Sequence, residues 1–371
     1  MHGTRILEEA DRLMTVCNSC RYCEGLCAVF PAMEMRRAFS DGDLNYLANL
    51  CHGCGACYTD CQFSPPHQFN VNVPKTLAVA RAESYAAYAW PRAFAGAFAR
   101  NGLIISLIAA LSMAVFILGF AAFNDRQILL GVQTGPGAFY KLMPHNSMAT
   151  LFGAAFLYAM VALVMGVRAF WRDIGEPVGS RTDARSLWQA MRDAGELRYL
   201  DGGGVGCVNE DERPNDRRKI FHHLTFYGFA LCFAATCIAT LYHYLLAREA
   251  PYAWWDLPVV LGTLGGFGLL VGPAGLLTEK WKRDPALVDK QSFGMDVAFL
   301  AMLFLTGLTG MALLLWRETP AMGPLLALHL GVVFALFITM PYGKFVHGIY
   351  RFAALVRYAR ERRMKEHWAA E

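Results

Sequence analysis

Eight of the chain's 11 cysteines lie between Cys17 and Cys61. They form two runs of one spacing, Cys17-x2-Cys20-x2-Cys23-x3-Cys27 and Cys51-x2-Cys54-x2-Cys57-x3-Cys61. Three thiolates so spaced wrap three corners of an iron-sulfur cubane, while the fourth reaches across to a second one. The spacing therefore assigns Cys17, Cys20, Cys23 and Cys61 to one [4Fe-4S] cluster and Cys51, Cys54, Cys57 and Cys27 to another. Zinc modules pair two separate C-x2-C knuckles instead of stacking three cysteines and a fourth. No apolar core of a signal peptide precedes Cys17, so a reducing compartment and metal ligation are expected rather than disulfides.

Histidine is the second signal. The third long apolar stretch holds His222, His223 and His243, and the sixth holds His329 with His347 just beyond. A buried imidazole in lipid needs a partner, so each is a functional candidate. Haem b with two axial imidazoles takes one neutral ring from each of two facing helices. His329 and His347 are 18 residues apart, which at about 100° per residue returns to one helical face roughly 27 Å along the axis. His222 lies about 60° out of phase with His243, and His223 about 160°, so His222 is the better ligand and His223 the alternative. With those spans antiparallel, His243 is expected to meet His329 at the outer side and His222 to meet His347 near the cytoplasm, for one or two haems. His145, just before the second span, reads as interfacial. Asp296, Lys344 and Arg351 lie near the cytoplasmic ends and read as anchors, or as contacts to haem propionates or a quinone.

Such residues need elements to hold them. The 371 residues are 55% hydrophobic and 17% charged, against about 25% charged in a soluble domain. Six apolar stretches, 103–123, 148–170, 220–246, 257–277, 293–316 and 321–340, reach or approach the roughly 20 residues that cross a bilayer. The fourth is glycine-rich and carries Pro273, so a re-entrant hairpin is its alternative reading. Lys and Arg number nine over 171–219, four over 278–292 and seven from Pro341 on, while the other loops are nearly bare. By the positive-inside rule both termini are expected to be cytoplasmic. Thr4–Val16 and Met33–Leu50 have helical periodicity. The expected fold is all-α: a two-cluster domain over residues 1–95, then a six-helix membrane domain over 96–371 ending in a basic tail. Net charge is +4, with no basic block to engage nucleic acid. Asp201–Cys207 (DGGGVGC) reads as a loop rather than a dinucleotide fingerprint, and Cys207, Cys232 and Cys237 read as free thiols.

The cysteine runs resemble bacterial two-cluster ferredoxins, with Ala28 and Gln62 where those carry a proline. The helical look of the residues between Cys27 and Cys51 is closer to the module of succinate dehydrogenase. Together with RKIFHHLTFYGFALCFAATCIATLYH (Arg218 to His243), MDVAFLAMLFLTGLTG (Met295 to Gly310) and HLGVVFALFITMPYGKFVHGIYR (His329 to Arg351), they resemble the tricarballylate utilisation protein B family, also called citrate utilisation protein B, over nearly the whole chain. That resemblance implies a membrane electron-transfer protein that reoxidises the FAD of a separate tricarballylate dehydrogenase, whose product is cis-aconitate. A related fusion in cobalamin synthesis joins a flavoprotein to a similar module, which leaves a different donor open.

The residues alone support the same direction. No phosphate loop, triad or dinucleotide fold is evident, so no catalysis on an organic substrate is expected from this chain by itself. The leading expectation is a path from flavoprotein through iron-sulfur clusters and haem b to quinone. The alternative, from another class, is a redox-sensing or metal-assembly membrane protein whose histidines bind a transition metal.

Overall fold

The computed structural model describes residues 2–175, 183–204, 206–207 and 215–370, with side chains to 365. Arg181 and Arg213, counted for orientation, and Val205 of the glycine loop lie outside the described residues. Among the described residues all regular structure is helical, apart from one isolated bridge between Cys207 and Asn215.

Five helices build the cysteine domain. α1 (Arg5–Cys20) starts where the Thr4 side chain caps the Leu7 N–H, and it buries Leu7, Ala10, Leu13 and Met14 along one stripe. The single periodic run read over 33–50 is divided between two helices, α2 (Val29–Glu34) and α3 (Asp41–Leu50). The cause is a capping box: the Ser40 hydroxyl accepts from Asp43 N–H while the Asp43 carboxylate accepts from Ser40 N–H, which starts a new helix there. The short α4 (Ala56–Thr59) follows, and then α5 (Val73–Tyr88), capped by Asn72. Met14, Tyr46, Leu47 and Leu77, all fully buried, join α1, α3 and α5 in one core.

Among the described residues six helices are long and apolar enough to cross a membrane, as an integral membrane protein requires: Asn101–Phe123, His145–Asp173, Arg217–Leu246, Leu257–Trp281, Phe293–Trp316 and Met322–Tyr342. Pro273 sits inside the fourth helix without ending it, so the hairpin alternative is not formed. The glycines of that helix have a packing purpose. A Cβ on Gly268 would fall 2.7 Å from the Leu224 carbonyl oxygen, and one on Gly272 would fall 2.4 Å from Thr225 Oγ1. Only glycine lets the third and fourth spans approach so closely, backbone on backbone. The third span packs chiefly on the fourth, whereas the sixth packs on the first, fifth and second.

The sixth span does not continue as one rod. Its α-helix ends at Thr339, Pro341 lies in a 3-10 turn over Met340–Tyr342, and a new helix runs from Val346 to Ala370. The basic tail is therefore a helix that passes beneath the cysteine domain. Tyr350 packs against Tyr85, Tyr88 and Phe170, and Glu361 accepts from Arg36 at 2.6 Å and from Tyr46 at 3.1 Å. Asp173, at the end of the second span, accepts from Asn45 at 2.8 Å and Tyr88 at 2.5 Å, so the domain is seated on the membrane helices from two sides.

Candidate functional site

α1 delivers Cys17 and Cys20 on its last turn, and Arg21, left-handed at φ 57°, turns the chain back toward Cys23. Cys17, Cys20, Cys23, Cys57 and Cys61 line a cavity of about 270 Å³ that opens beside Tyr22 and Asp60. Burial, reinforced by the neighbouring Cys23, Cys61 and Cys20, pushes the Cys17 thiol up to about 12. Burial with Cys61, Cys20 and Asp60 pushes Cys23 up to about 12 as well. Behind it, Cys27, Cys51, Cys54 and Cys57 line a smaller recess. Burial, then Cys54 and Cys51, holds Cys27 well above the ordinary thiol range. Cys57 is raised by burial and then by Cys54, Cys27 and Cys51.

The chain thus brings two sets of thiols together, an outer one with Cys20 exposed and an inner one with Cys51 and Cys54 each 7% exposed. Thiols held this way resist deprotonation until a metal supplies positive charge. Among the described residues no three His, Cys, Asp or Glu side chains converge as a single ion would need. The outer donors surround a cavity of cluster size and the inner ones a tighter recess of about 20 Å³, and the all-thiol composition of both sets fits iron-sulfur clusters better than a lone zinc. Backbone N–H groups point at two of the sulfurs, Gly53 to Cys51 Sγ at 3.3 Å and Phe63 to Cys61 Sγ at 3.4 Å. The glycine loop read from sequence lies on the inner recess. Gly202, at φ +60, approaches so closely that a Cβ there would be 2.8 Å from the Ala56 Cβ and 3.4 Å from Cys54 Sγ, and Cys207 packs in the same group with Leu200.

Arginines grip the backbone of the inner loop. Arg81 donates to the Cys51 and Ala48 carbonyls at 2.7 and 3.1 Å, and Arg351 donates to the Cys51 carbonyl at 2.9 Å. Arg218 donates to Gly53 at 2.7 Å and His52 at 3.3 Å, and Arg283 also donates to Gly53. Of these four, sequence reading singled out only Arg351. Backbone carbonyls leave no residue signature, so Arg81, Arg218 and Arg283 carried no signal. Asp296 and Lys344 form a separate buried group with Lys280, with Asp296 lying 2.5 Å from Lys280 Nζ and 2.8 Å from Lys344 Nζ.

Next to this lies a histidine pair. His222 and His347 face each other with ring centroids 6.1 Å apart and planes at 54°. His347 Nδ1 meets the Lys344 carbonyl at 2.5 Å, which leaves Nε2 available. Burial, with Arg351 and Lys344 nearby, holds the His347 pKa well below the usual imidazole value, so the ring is neutral as a ligand must be. Two imidazoles each bound through a nitrogen about 2.0 Å from one ion place their centres about 6 Å apart, and the separation of this pair matches that spacing. The phase argument that brought His347 here does not hold, because Pro341 ends the sixth helix first. The new helix brings the ring in from a different axis. His223 turns away, with Nε2 3.2 Å from the Gly195 carbonyl of the helix Ala184–Gly195.

The outer pair needs correction. His243 does not face His329. It stacks on His145, with centroids 3.5 Å apart and planes at 15°, and Tyr140 and Tyr244 stand edge-on. His329 lies against the fifth span, its Nδ1 2.9 Å from Thr309 Oγ1 and its ring beside Gly310. Helical phase fixes the face a residue occupies on its own helix, but the third span packs on the fourth, which turns His243 toward the start of the second. Stacked on His145, the His243 ring is not presented to His329.

Residues 10–87 match the family model described as the Citrate utilization protein B Fer4-like domain, and residues 96–367 match that of Citrate utilization protein B. The chain is 51% identical to the Citrate utilization protein B of Escherichia coli over 356 residues, covering 96% of this chain and 92% of that protein. No solved structure gives a significant match. A Fer4-like domain with its thiols gathered in two sets points to an iron-sulfur electron-transfer role. Since the two family matches and the relative together account for nearly its whole length, the chain belongs to the citrate utilization protein B family.

Proposed function

We propose that the chain is the membrane electron-transfer partner of a separate FAD-containing dehydrogenase of the tricarballylate or citrate utilisation type, and that it delivers electrons to quinone. In this reading the cysteine domain faces the cytoplasm at the inner membrane, and the chain transforms no organic substrate alone. [4Fe-4S] clusters held by the two thiol sets, and a haem b held by His222 and His347, would supply one-electron transfer, which splits the two electrons of a reduced flavin.

The observation that carries the reading is the serial order of these sites. The exposed Cys20 belongs to the outer set, and Cys57 lines both cavities and so joins outer to inner. Arg351 hydrogen-bonds the Cys51 carbonyl from the same helix that carries His347, four residues earlier. A donor docking at Cys20 thus meets a continuous route toward the membrane helices. The tight packing of the inner set keeps water away from it, and the neutral His347 is ready to ligate.

The test begins with anaerobically purified chain, which should contain about eight irons and eight acid-labile sulfides and show a bis-histidine haem spectrum. Mixed in lipid with the dehydrogenase, tricarballylate and a quinone analogue, the haem should be reduced only when both dehydrogenase and substrate are present, and reoxidised by quinone. Stoichiometric zinc without labile sulfide would overturn the reading. So would a haem that dithionite reduces and the substrate-reduced dehydrogenase does not.

A further inference from the structure

The two thiol sets have the same ligand chemistry and opposite surroundings. The outer set opens beside Asp60, whose carboxylate bears on Cys23. The inner set is enclosed by Arg81, Arg218, Arg283 and Arg351, which come from α5, the first turn of the third span, the segment after the fourth span and the C-terminal helix. The strongest charge effects on Arg283 come from Arg218 and the thiols of Cys207, Cys54 and Cys51, and those on Arg351 from Arg81, Tyr85, Cys51 and Arg218. Arg283 Nη1 and Arg351 Nε are also buried without a hydrogen-bond partner. Buried guanidinium groups that repel one another need a counter-charge, and the inner thiolates are negative groups that act on both Arg283 and Arg351.

Burial alone would make the inner centre the harder one to reduce, because an added negative charge is poorly solvated there. Positive charge and N–H groups aimed at the sulfurs act in the opposite direction. We propose that Arg283 and Arg351, supported by Arg81 and Arg218, reverse the effect of burial and make the inner centre the preferred electron acceptor, so that an electron entering at Cys20 moves inward. One electron passes from the outer centre to the inner, supplied by reduced flavin or dithionite, and no bond or proton changes place. These arginines are positioning residues, and their role rests on the iron-sulfur reading above.

The experiment is an EPR-monitored redox titration of the full purified chain, with iron and labile sulfide measured on the same samples. Two midpoints are expected. Arg351→Gln and Arg283→Gln should each lower the upper midpoint by at least 59 mV, a tenfold loss of inner occupancy for a one-electron couple. The lower midpoint should stay in place, and Arg351→Lys, which keeps the charge, should retain most of the upper value. Asp60→Asn, exposed at the outer mouth and outside the arginine group, should raise only the lower midpoint and narrow the gap. It decides the question if a glutamine variant loses iron. Glutamine variants with full iron content that move neither midpoint, or both equally, overturn the proposal, as does an unchanged gap in Asp60→Asn. A wild-type chain without labile sulfide or cluster signals instead overturns the iron-sulfur reading itself.

Discussion

Replacing Asp296 with Asn should cost far more stability than removing Lys280, one of the two lysines that hold it. Asp296 lies 2.5 Å from Lys280 Nζ and 2.8 Å from Lys344 Nζ, and the three side chains keep only 20%, 14% and 20% exposure. Two positive charges share one negative charge. At an effective dielectric near 20, unit charges about 3 Å apart attract by roughly 5–6 kcal/mol before desolvation. Most of that is cancelled by desolvation, and removing one partner of a buried pair costs about 3–5 kcal/mol, because the charge left behind has no compensation. Asp296→Asn strands two ammonium groups together, so a loss of about 3 kcal/mol is expected, at the low end because some exposure remains. Lys280→Met leaves a balanced Asp296–Lys344 pair and should cost about 1 kcal/mol. In detergent, thermal unfolding followed by circular dichroism should show the midpoint falling by about 6–12 °C for Asp296→Asn, at 2–4 °C per kcal/mol, and by a third of that for Lys280→Met. The double variant Asp296→Asn/Lys344→Met should recover at least about 1 kcal/mol over Asp296→Asn, since it removes a stranded charge. Equal losses from Asp296→Asn and Lys280→Met, or strict additivity in the double variant, would refute the reasoning. Lys344 lies in the turn that launches the C-terminal helix, so the same damage should loosen His347.

Three further outcomes are expected. Gly272→Leu should prevent folded protein from accumulating, since its Cβ alone would be 2.4 Å from Thr225 Oγ1, whereas Gly119→Leu, with no atom within 4 Å of its Cβ, should be tolerated; size-exclusion profiles compare them directly. Cys54→Ser should bring iron from about eight toward about four per chain while Cys232→Ser leaves it unchanged, as measured by iron and sulfide analysis. His347→Ala should remove the bis-histidine haem spectrum and His223→Ala should preserve it, because His223 is engaged with Gly195 and His347 faces His222.

The thiol sets were legible because their geometry is local: a run with two or three residues between cysteines carries its own curvature, and only Cys27 and Cys61 have to cross. The spans were legible because lipid demands long apolar helices whatever they pack on. The histidine pairing was legible only in part. His222 and His347 do meet, but through a helix break at Pro341 that phase arithmetic treats as continuous. His243 met a different partner because glycines of the fourth span draw the third span to it, a packing choice invisible in the third span's own periodicity. The split of residues 33–50 could have been read from Ser40 and Asp43, whose capping box overrides the apolar period on either side. The arginine group had no such trace, because its acceptors are carbonyls that every residue has.

The helix Val346–Ala370 joins the two ends of the polypeptide, and this has a consequence in time. Arg36, Tyr46 and Cys51 receive their partners Glu361 and Arg351 from segments 300 to 325 residues later in the chain. At 5–20 residues per second, roughly 15–60 s of synthesis separate the two. Throughout that interval the thiols are already in place while the strap that completes their seating on the membrane helices does not yet exist. Whatever fills the thiol sets can reach them before the strap arrives, and a chain that stops short of Arg351 would keep its sulfur sites on the membrane helices only through Asp173, Arg218 and Arg283.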